Sequence, residues 1–383
     1  MRTRPQLNYT VELDTLKLEK GNLHNMKLDL QMSHETESEI PKSMWTKMVA
    51  QYQQPDVRAS IWQVINSFVP FLVVWYLMVV SLQYSYILTL LLAFPAAGFV
   101  TRLFIIQHDC GHASFFQSRF ANNLVGTIAG VFTLTPYLYW RKSHAIHHAH
   151  TSNLEERGIG DIYTMTVSEY VQASKWGKLK YRVYRNPFFL FGLAPSILFL
   201  ILHRIPYSAS KSWKPEERAS VHWNNLAIAA IAIVVSYFIG FKAFLMIEIP
   251  VMVIAASAGT WMFYVQHQFE DTYWASKPEW DYALAAMQGS SYYRLPKVLQ
   301  WFTGNIGFHH IHHLSPRIPN YRLEQCHAEN PLFQRAVVLT IVDSLKTAVL
   351  TLWDEERKKL ISFGDLKALK KSTPMVNAKA VAG

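Results

Sequence analysis

Residues 61–112 read IWQVINSFVPFLVVWYLMVVSLQYSYILTLLLAFPAAGFVTRLFIIQHDCGH, and this stretch decides the fold. Ile61 to Leu82 and Tyr86 to Ile106 are apolar runs separated only by Gln83, Tyr84 and Ser85. A helix needs about twenty apolar residues to cross the hydrocarbon core, so each run is read as one span. The short join makes the pair a hairpin whose two outer ends lie on the same side of the membrane. Two such runs in succession count against a soluble core.

Three later stretches compete for further spans: Pro187 to Leu202, Leu226 to Phe241 and Ile247 to Val265. A fourth, Leu124 to Trp140, is interrupted by Gly, Thr and Pro136 and reads as interfacial or packed against protein. If all four crossed, the histidine groups described below would fall on opposite faces of the bilayer. Between Leu202 and Leu226, Arg204, Lys211, Lys214 and Arg218 outweigh Glu216 and Glu217, which places that segment in the cytoplasm. Pro187 to Leu202 is therefore expected to be re-entrant or interfacial, and the last two stretches to form a second hairpin. The resulting fold class is an all-α integral membrane protein: two transmembrane helical hairpins, four spans, with Pro187 to Leu202 the candidate for a further crossing. A cytoplasmic helical cap carries the polar residues. Residues 1–58 form a cytoplasmic N-terminal segment, 59–330 the membrane domain, and 331–383 a cytoplasmic C-terminal helix and tail, frayed from Lys367 onward.

Composition agrees with a membrane-embedded part carrying a polar domain. Half of the 383 residues are hydrophobic and the formal net charge is +10. The basic residues are scattered rather than gathered on one aromatic-interleaved stripe, which speaks against nucleic-acid binding and for cytoplasmic retention and anionic lipid. Cys110 and Cys326 are the only cysteines, so the chain has neither a disulfide framework nor a cysteine-based metal site. The charge-rich start lacks the pattern of a secretory signal, which leaves membrane insertion to the first span.

The chemistry lies in four short histidine clusters. His108 and His112 stand at i and i+4, on one helical face, directly after the second apolar run. His144, His147 and His148 stand at i, i+3 and i+4, and His309, His312 and His313 repeat that spacing. His267 follows the last span. A single histidine is most often a surface or core residue, but two copies of His-x-x-His-His beside His-x-x-x-His are far beyond chance. Crowding so many rings favours neutral imidazoles on metal. Nine nitrogen donors exceed what one ion can take, so two ions with four or five each are expected. Imidazole alone does not name the metal: iron, copper, nickel and zinc all suit it.

His150 and His310 are offset from their neighbours' faces and are assigned a supporting role. Asp109, Asp161, Glu270 and Asp271 are candidates to accept the second ring N–H of a ligand, against the alternative of ordinary loop charges. Trp140, Trp261, Tyr264, Tyr273, Trp274, Tyr292, Tyr293 and Trp301 can line an acyl channel or form an interfacial belt, the belt being the stronger reading for any one of them. Donors at helix ends suit a long apolar substrate arriving from the bilayer, and not ion translocation, so a metal transporter is disfavoured. A membrane zinc hydrolase is the other class to weigh, because His108-Asp109-x-x-His112 mimics His-Glu-x-x-His; it leaves the remaining clusters unused.

The boxes HDCGH at 108–112, HAIHH at 144–148 and HHIHH at 309–313, in this order around two hydrophobic hairpins, resemble those of the membrane fatty acid desaturase family. HDCGHASFF, GIGDIYT, QHQFEDTYW and GNIGFHHIHHLSPRIPNY are similar, more narrowly, to bacterial Δ12 (omega-6) acyl-lipid desaturases. The resemblance implies that the nine histidines bind two irons (Fe2+/Fe3+), with O2 as co-substrate. It implies removal of two hydrogens from adjacent carbons of a lipid-linked acyl chain, at the cytoplasmic face of a bacterial inner membrane. The two electrons would come from a separate ferredoxin or cytochrome b5, for whose acidic form the basic face offers a dock. A hydroxylase or epoxygenase of the same architecture is the near rival. One departure stands out: acyl-CoA relatives place an asparagine ligand one turn before the residue matching His267, and here that residue is Phe263.

Overall fold

The structure is a computed structural model that describes residues 42–158, 160–207 and 213–372. Most of the N-terminal segment, Lys211 and the tail from 373 onward lie outside the described residues.

After α1 (Lys42–Ala50), the chain forms the first hairpin from α2 (Val57–Ser81) and α3 (Tyr86–Gly111). Asp56 starts α2 by accepting the free N–H groups of Arg58 and Ala59. Two short helices follow, the amphipathic α4 (Arg119–Phe132) and α5 (Tyr137–His150). At 14 residues each they cannot span, in keeping with the interfacial reading of Leu124 to Trp140. Beyond β1 (Met165–Thr166) come α6 (Val167–Gln172), α7 (Lys175–Tyr184) and a broken helix that includes α8 (Ala194–Leu200). The second hairpin is α9 (Pro215–Ile239) and α10 (Phe241–His267), joined at Gly240, whose φ of +88° suits glycine. The remaining elements are α11 (Tyr282–Met287), β2 (Tyr292–Tyr293), α12 (Lys297–Phe302), α13 (His309–Leu314), α14 (Asn320–Glu329), β3 (Val338–Leu339), α15 (Ile341–Thr347), β4 (Leu350–Asp354), β5 (Lys359–Ser362) and α16 (Phe363–Ser372).

Among the described residues four helices, α2, α3, α9 and α10, are long and apolar enough to cross a membrane. Among them α3 is central: 56% of its apolar window is buried, against 6% for α9, which turns most of its surface outward. Leu103 and Ile106 of α3 pack with Met78 of α2 and Val251 of α10 in one continuous core. Exposed Trp62 and Trp223 mark one end of α2 and α9, and exposed Tyr84 and Tyr237 the other, as interfacial aromatics do.

The segment Lys175–Tyr184 with Phe189–Arg204 is bent by 59°. Arg185 before the apolar part bonds Gln268 at the end of α10, and Trp213 after it packs on Tyr139 of α5. Both flanks touch the end of the bundle where α5 and α10 meet, and the bend makes the segment a broken span or a re-entrant loop.

The cap differs from a purely helical expectation in one respect. The 331–383 region supplies the hairpin β4–β5, and β1 pairs in parallel with β4 (Met165 opposite Leu352). It is therefore more than a helix and tail. β2 and β3 form a second small parallel pair. These strands are two to five residues long, and they tie loops of the cap together rather than build a sheet core.

Candidate metal centre

All four histidine clusters meet at one end of the bundle. The last turn of α3 brings His108 and His112 up from the membrane, and α10 ends on His267. The 3.6-residue period puts His144, His147 and His148 on one face of α5 and His309, His312 and His313 on one face of the six-residue α13.

The nine rings sort into two groups whose ligand atoms lie within 4.8 Å of one another in each group. One holds His108, His112, His144, His148 and His312; the other holds His147, His267, His309 and His313. His148 and His313 stack at 4.2 Å and join the two. In the first group His148 Nε2 lies 3.1 Å from His144 Nε2 and 2.9 Å from His312 Nε2. In the second, His309 Nε2 lies 2.9 Å from His267 Nε2 and 3.1 Å from His313 Nε2, and His147 Nε2 is 3.3 Å from His313 Nε2.

Neutral imidazoles cannot satisfy this arrangement among themselves. His267 Nδ1 sits 3.1 Å from the Gly289 carbonyl, an obligate acceptor, so the ring proton is on Nδ1 and Nε2 presents a lone pair. His147 Nδ1 meets the Asp161 carboxylate at 2.5 Å, with the same result. His112 Nε2 is buried with no hydrogen-bond partner among the described residues. Burial first, and neighbouring imidazoles second, hold His144, His148, His309, His312 and His313 well below the ordinary histidine range, so these rings stay neutral. Inward lone pairs on neutral rings in a buried setting fit a cation in each group. The donor set is all nitrogen and borderline-soft, which fits iron, copper, nickel or zinc.

Outer contacts fix the rings. His108 Nδ1 faces Asp109 Oδ1 at 3.0 Å, and Asp109 Oδ2 accepts from Asn320 N at 2.6 Å and Asn320 Nδ2 at 2.9 Å. Asn320 Oδ1 accepts from Gln63 Nε2 at 3.0 Å, which links α14, α3 and α2. The Trp140 indole stacks on His144 at 4.5 Å. Buried Arg185 donates to the Thr164 hydroxyl, the Gln268 amide oxygen and the Leu350 carbonyl, and so holds the loop after Asp161 against the end of α10.

Of the four acids expected to orient rings, Asp109 and Asp161 do so. Glu270 instead pairs with Lys359 at 2.8 Å, and Asp271 is an exposed loop charge, so these two are corrected. His150 and His310 belong to neither group; His310 is buried against His327 and Phe333. Phe263 packs its ring 5.0 Å from His147 and 5.3 Å from His267, taking the place one turn before His267. Among the aromatics expected around a channel, Trp140 touches candidate ligands; Tyr264 bonds the Thr347 carbonyl, Trp301 lies 3.9 Å from the Arg102 guanidinium, and Tyr292 stacks on Phe308. Asn320, Gln63, Arg185 and Gly289 were not found from sequence. Only Asn320 lay within a quoted motif, SPRIPNY, and nothing in its local spacing marks it as a partner of Asp109.

Comparison with known proteins supports the same reading. The family model described as "Fatty acid desaturase" matches residues 84–341, which include every candidate ligand. A "Fatty acid desaturase" of Bacillus subtilis (strain 168) is 47% identical over 329 residues, 86% of this chain and 93% of the relative. The "sn-1 oleoyl-lipid 12-desaturase" of Picosynechococcus sp. is 29% identical over 238 residues, 60% of this chain and 65% of that protein. The "sn-1 acyl-lipid omega-3 desaturase (ferredoxin)" of Synechocystis sp. is 29% identical, over 58% of this chain and 62% of that protein. With four described helices able to span the bilayer, a nine-histidine centre at their ends and a family match over residues 84–341 that takes in every one of those histidines, the chain belongs to the fatty acid desaturase family and is an oxygen-dependent oxidoreductase of the membrane.

Proposed function

We propose that this desaturase introduces a cis double bond at the Δ12 (omega-6) position of a lipid-linked acyl chain, converting oleoyl to linoleoyl. The supporting observation for the chemistry is the five-plus-four grouping of His108, His112, His144, His148, His312 and His147, His267, His309, His313. The supporting observation for the position is coarser: two cyanobacterial relatives carry the name "sn-1 oleoyl-lipid 12-desaturase", whereas the more similar Bacillus relative is named without a position.

In this reading two iron ions are held by the two groups. Bound there, they would supply the dioxygen chemistry that takes two hydrogens from adjacent carbons and, with two electrons from a donor and two protons from solvent, yields two waters. The residues of the chain prepare the ground. Asp109, Asp161 and the Gly289 carbonyl each hold a ring by its Nδ1 side, so the Nε2 lone pairs stay aimed inward without reorganisation. The spans end where the histidines begin, which puts the centre at the edge of the apolar layer from which an acyl chain would come. The donor is taken to be a separate ferredoxin or cytochrome b5, a reading supported by the word "ferredoxin" in the names of two omega-3 relatives. The histidine side is taken to be the cytoplasmic face of a bacterial inner membrane, supported by Arg204, Lys214 and Arg218 beside it.

The test is fatty acid profiling with double-bond localisation after expression in a host that makes only monoenes. A new Δ9,Δ12 diene is expected. A diene with another spacing would reject the position and keep the reaction, and a hydroxy acid without diene would reject desaturation in favour of hydroxylation. Metal analysis of the purified protein is expected to give iron in a ratio of two per chain; zinc alone would reject the oxidative reading.

A further inference from the structure

Helix α7 reads KWGKLKYRVY and is fastened to the cap by one face. The Tyr181 hydroxyl donates to the Thr351 carbonyl and accepts from the Met165 N–H, and the Tyr184 hydroxyl accepts from the Tyr163 N–H at 3.1 Å. At 100° per residue, Trp176, Leu179 and Val183 fall on the side opposite Tyr181. They are 72%, 49% and 49% exposed. An amphipathic helix on a globular surface turns its apolar stripe inward, and α7 turns this one outward.

The surroundings of the stripe indicate what covers it. Lys175 and Lys180 flank it on the two sides, with Arg182 and Lys178 beyond Lys175. No aspartate or glutamate occurs from Tyr170 through Pro215, so the cations have no acid on their own stretch of chain. The stripe also runs on into exposed Phe188 and Leu193, at the start of the broken helix that dips into the bundle. Val183, Phe188, Phe189 and Leu193 line a groove there with Arg182 and Asn186 at its polar edge. An apolar stripe bordered by lysines and continuous with a membrane-entering segment is the pattern of an in-plane interfacial helix.

We propose that α7 lies in the leaflet on the histidine side, with Trp176, Leu179 and Val183 at the acyl boundary and Lys175 and Lys180 on the phosphates of anionic lipids. An acidic protein partner is the weaker occupant, because the stripe is apolar along its centre and leads into the bilayer. This contact is separate from the four spans and from the metal centre. It meets the centre through Arg185, which follows α7 directly and bonds Gln268 beside His267.

The test uses the full-length protein in bilayer discs made with or without phosphatidylglycerol. A nitroxide is placed at Leu179→Cys or Val183→Cys; the native Cys110 and Cys326 are both buried. Both labels are expected to collide more with oxygen than with a water-soluble nickel chelate. A fluorophore at Val183→Cys is expected to be quenched more by nitroxide-labelled phosphatidylglycerol than by nitroxide-labelled phosphatidylcholine, and Lys175→Gln/Lys180→Gln to abolish that preference. Free access of the nickel chelate at both positions would overturn the proposal, as would equal quenching by the two lipids in the parent. Protection that arises only on adding an acidic redox protein would give the face to that partner and overturn it too.

Discussion

At the scale of single residues, the centre depends on where ring protons sit. His147 and His312 belong to different groups, so each tests one of the two. His147→Ala and His312→Ala are each expected to abolish desaturation while membrane fractionation and detergent elution match the parent; retained turnover in either would remove that ring from the ligand set. Asp109 is the more discriminating position. Its Oδ1 faces His108, and its Oδ2 receives two N–H groups from Asn320. In Asp109→Asn an amide nitrogen must face either His108 Nδ1 or the two Asn320 donors, so one contact becomes repulsive. Metal affinity is expected to fall about tenfold to a hundredfold. Asn320→Ala removes one donor and leaves the backbone N–H, so its loss should be smaller. Metal content after dialysis against a graded chelator measures both, and a larger loss in Asn320→Ala would contradict this ordering.

At the scale of elements, short loops carry constraints that their sequence hides. A Cβ on Gly289 would lie 2.5 Å from the Ala285 carbonyl and 2.2 Å from Ser152 Oγ, and a backbone oxygen cannot rotate away. Gly289→Ala should therefore displace the carbonyl that holds His267 and lower metal occupancy, with no recovery in Gly289→Ala/Ser152→Gly, because the Ala285 contact remains. Metal content of the two variants is the readout, and restored occupancy in the double variant would refute the backbone account. Gly160 is similar: with φ of +75° and a Cβ site 2.9 Å from His147 Cβ, it lets the chain turn so that Asp161 reaches the ring. The spans and the nine histidines were legible because membrane length and helical periodicity are local signals, each readable within about twenty residues. The β4–β5 hairpin was not, since its partner β1 lies some distance back in the chain and both are too short for alternation to declare itself. Asn320 and Gln63 escaped for the same reason: their meaning arises only from Asp109, brought to them by the tertiary fold.

At the scale of the whole molecule, the crowding of neutral rings makes stability depend on pH when no metal is bound. His144, His148, His309, His312 and His313 are held well below the ordinary value of 6.5, chiefly by burial. Above that value the rings are neutral whether the chain is folded or unfolded, and pH has no leverage. Below it the unfolded chain takes up protons that the native chain refuses, so stability falls as pH falls, by up to about 1.4 kcal/mol per pH unit for each ring. Metal-stripped protein is therefore expected to show a flat Tm above neutrality and a steep decline on acidification, while loaded protein holds its Tm further into acid. A Tm independent of pH across the acid range in the stripped protein would mean that the rings are solvated or already charged.

The division of the nine donors has a consequence for biogenesis. The first hairpin gives His108 and His112 to one group only, and the second gives His267 to the other only, whereas α5 and α13 each serve both. A ribosome releases α13 after both hairpins, so a partly synthesised chain never owns a complete set for either ion. Loading of either group must therefore await α13, and each ion would then act as a clasp between parts that the lipid alone would let drift.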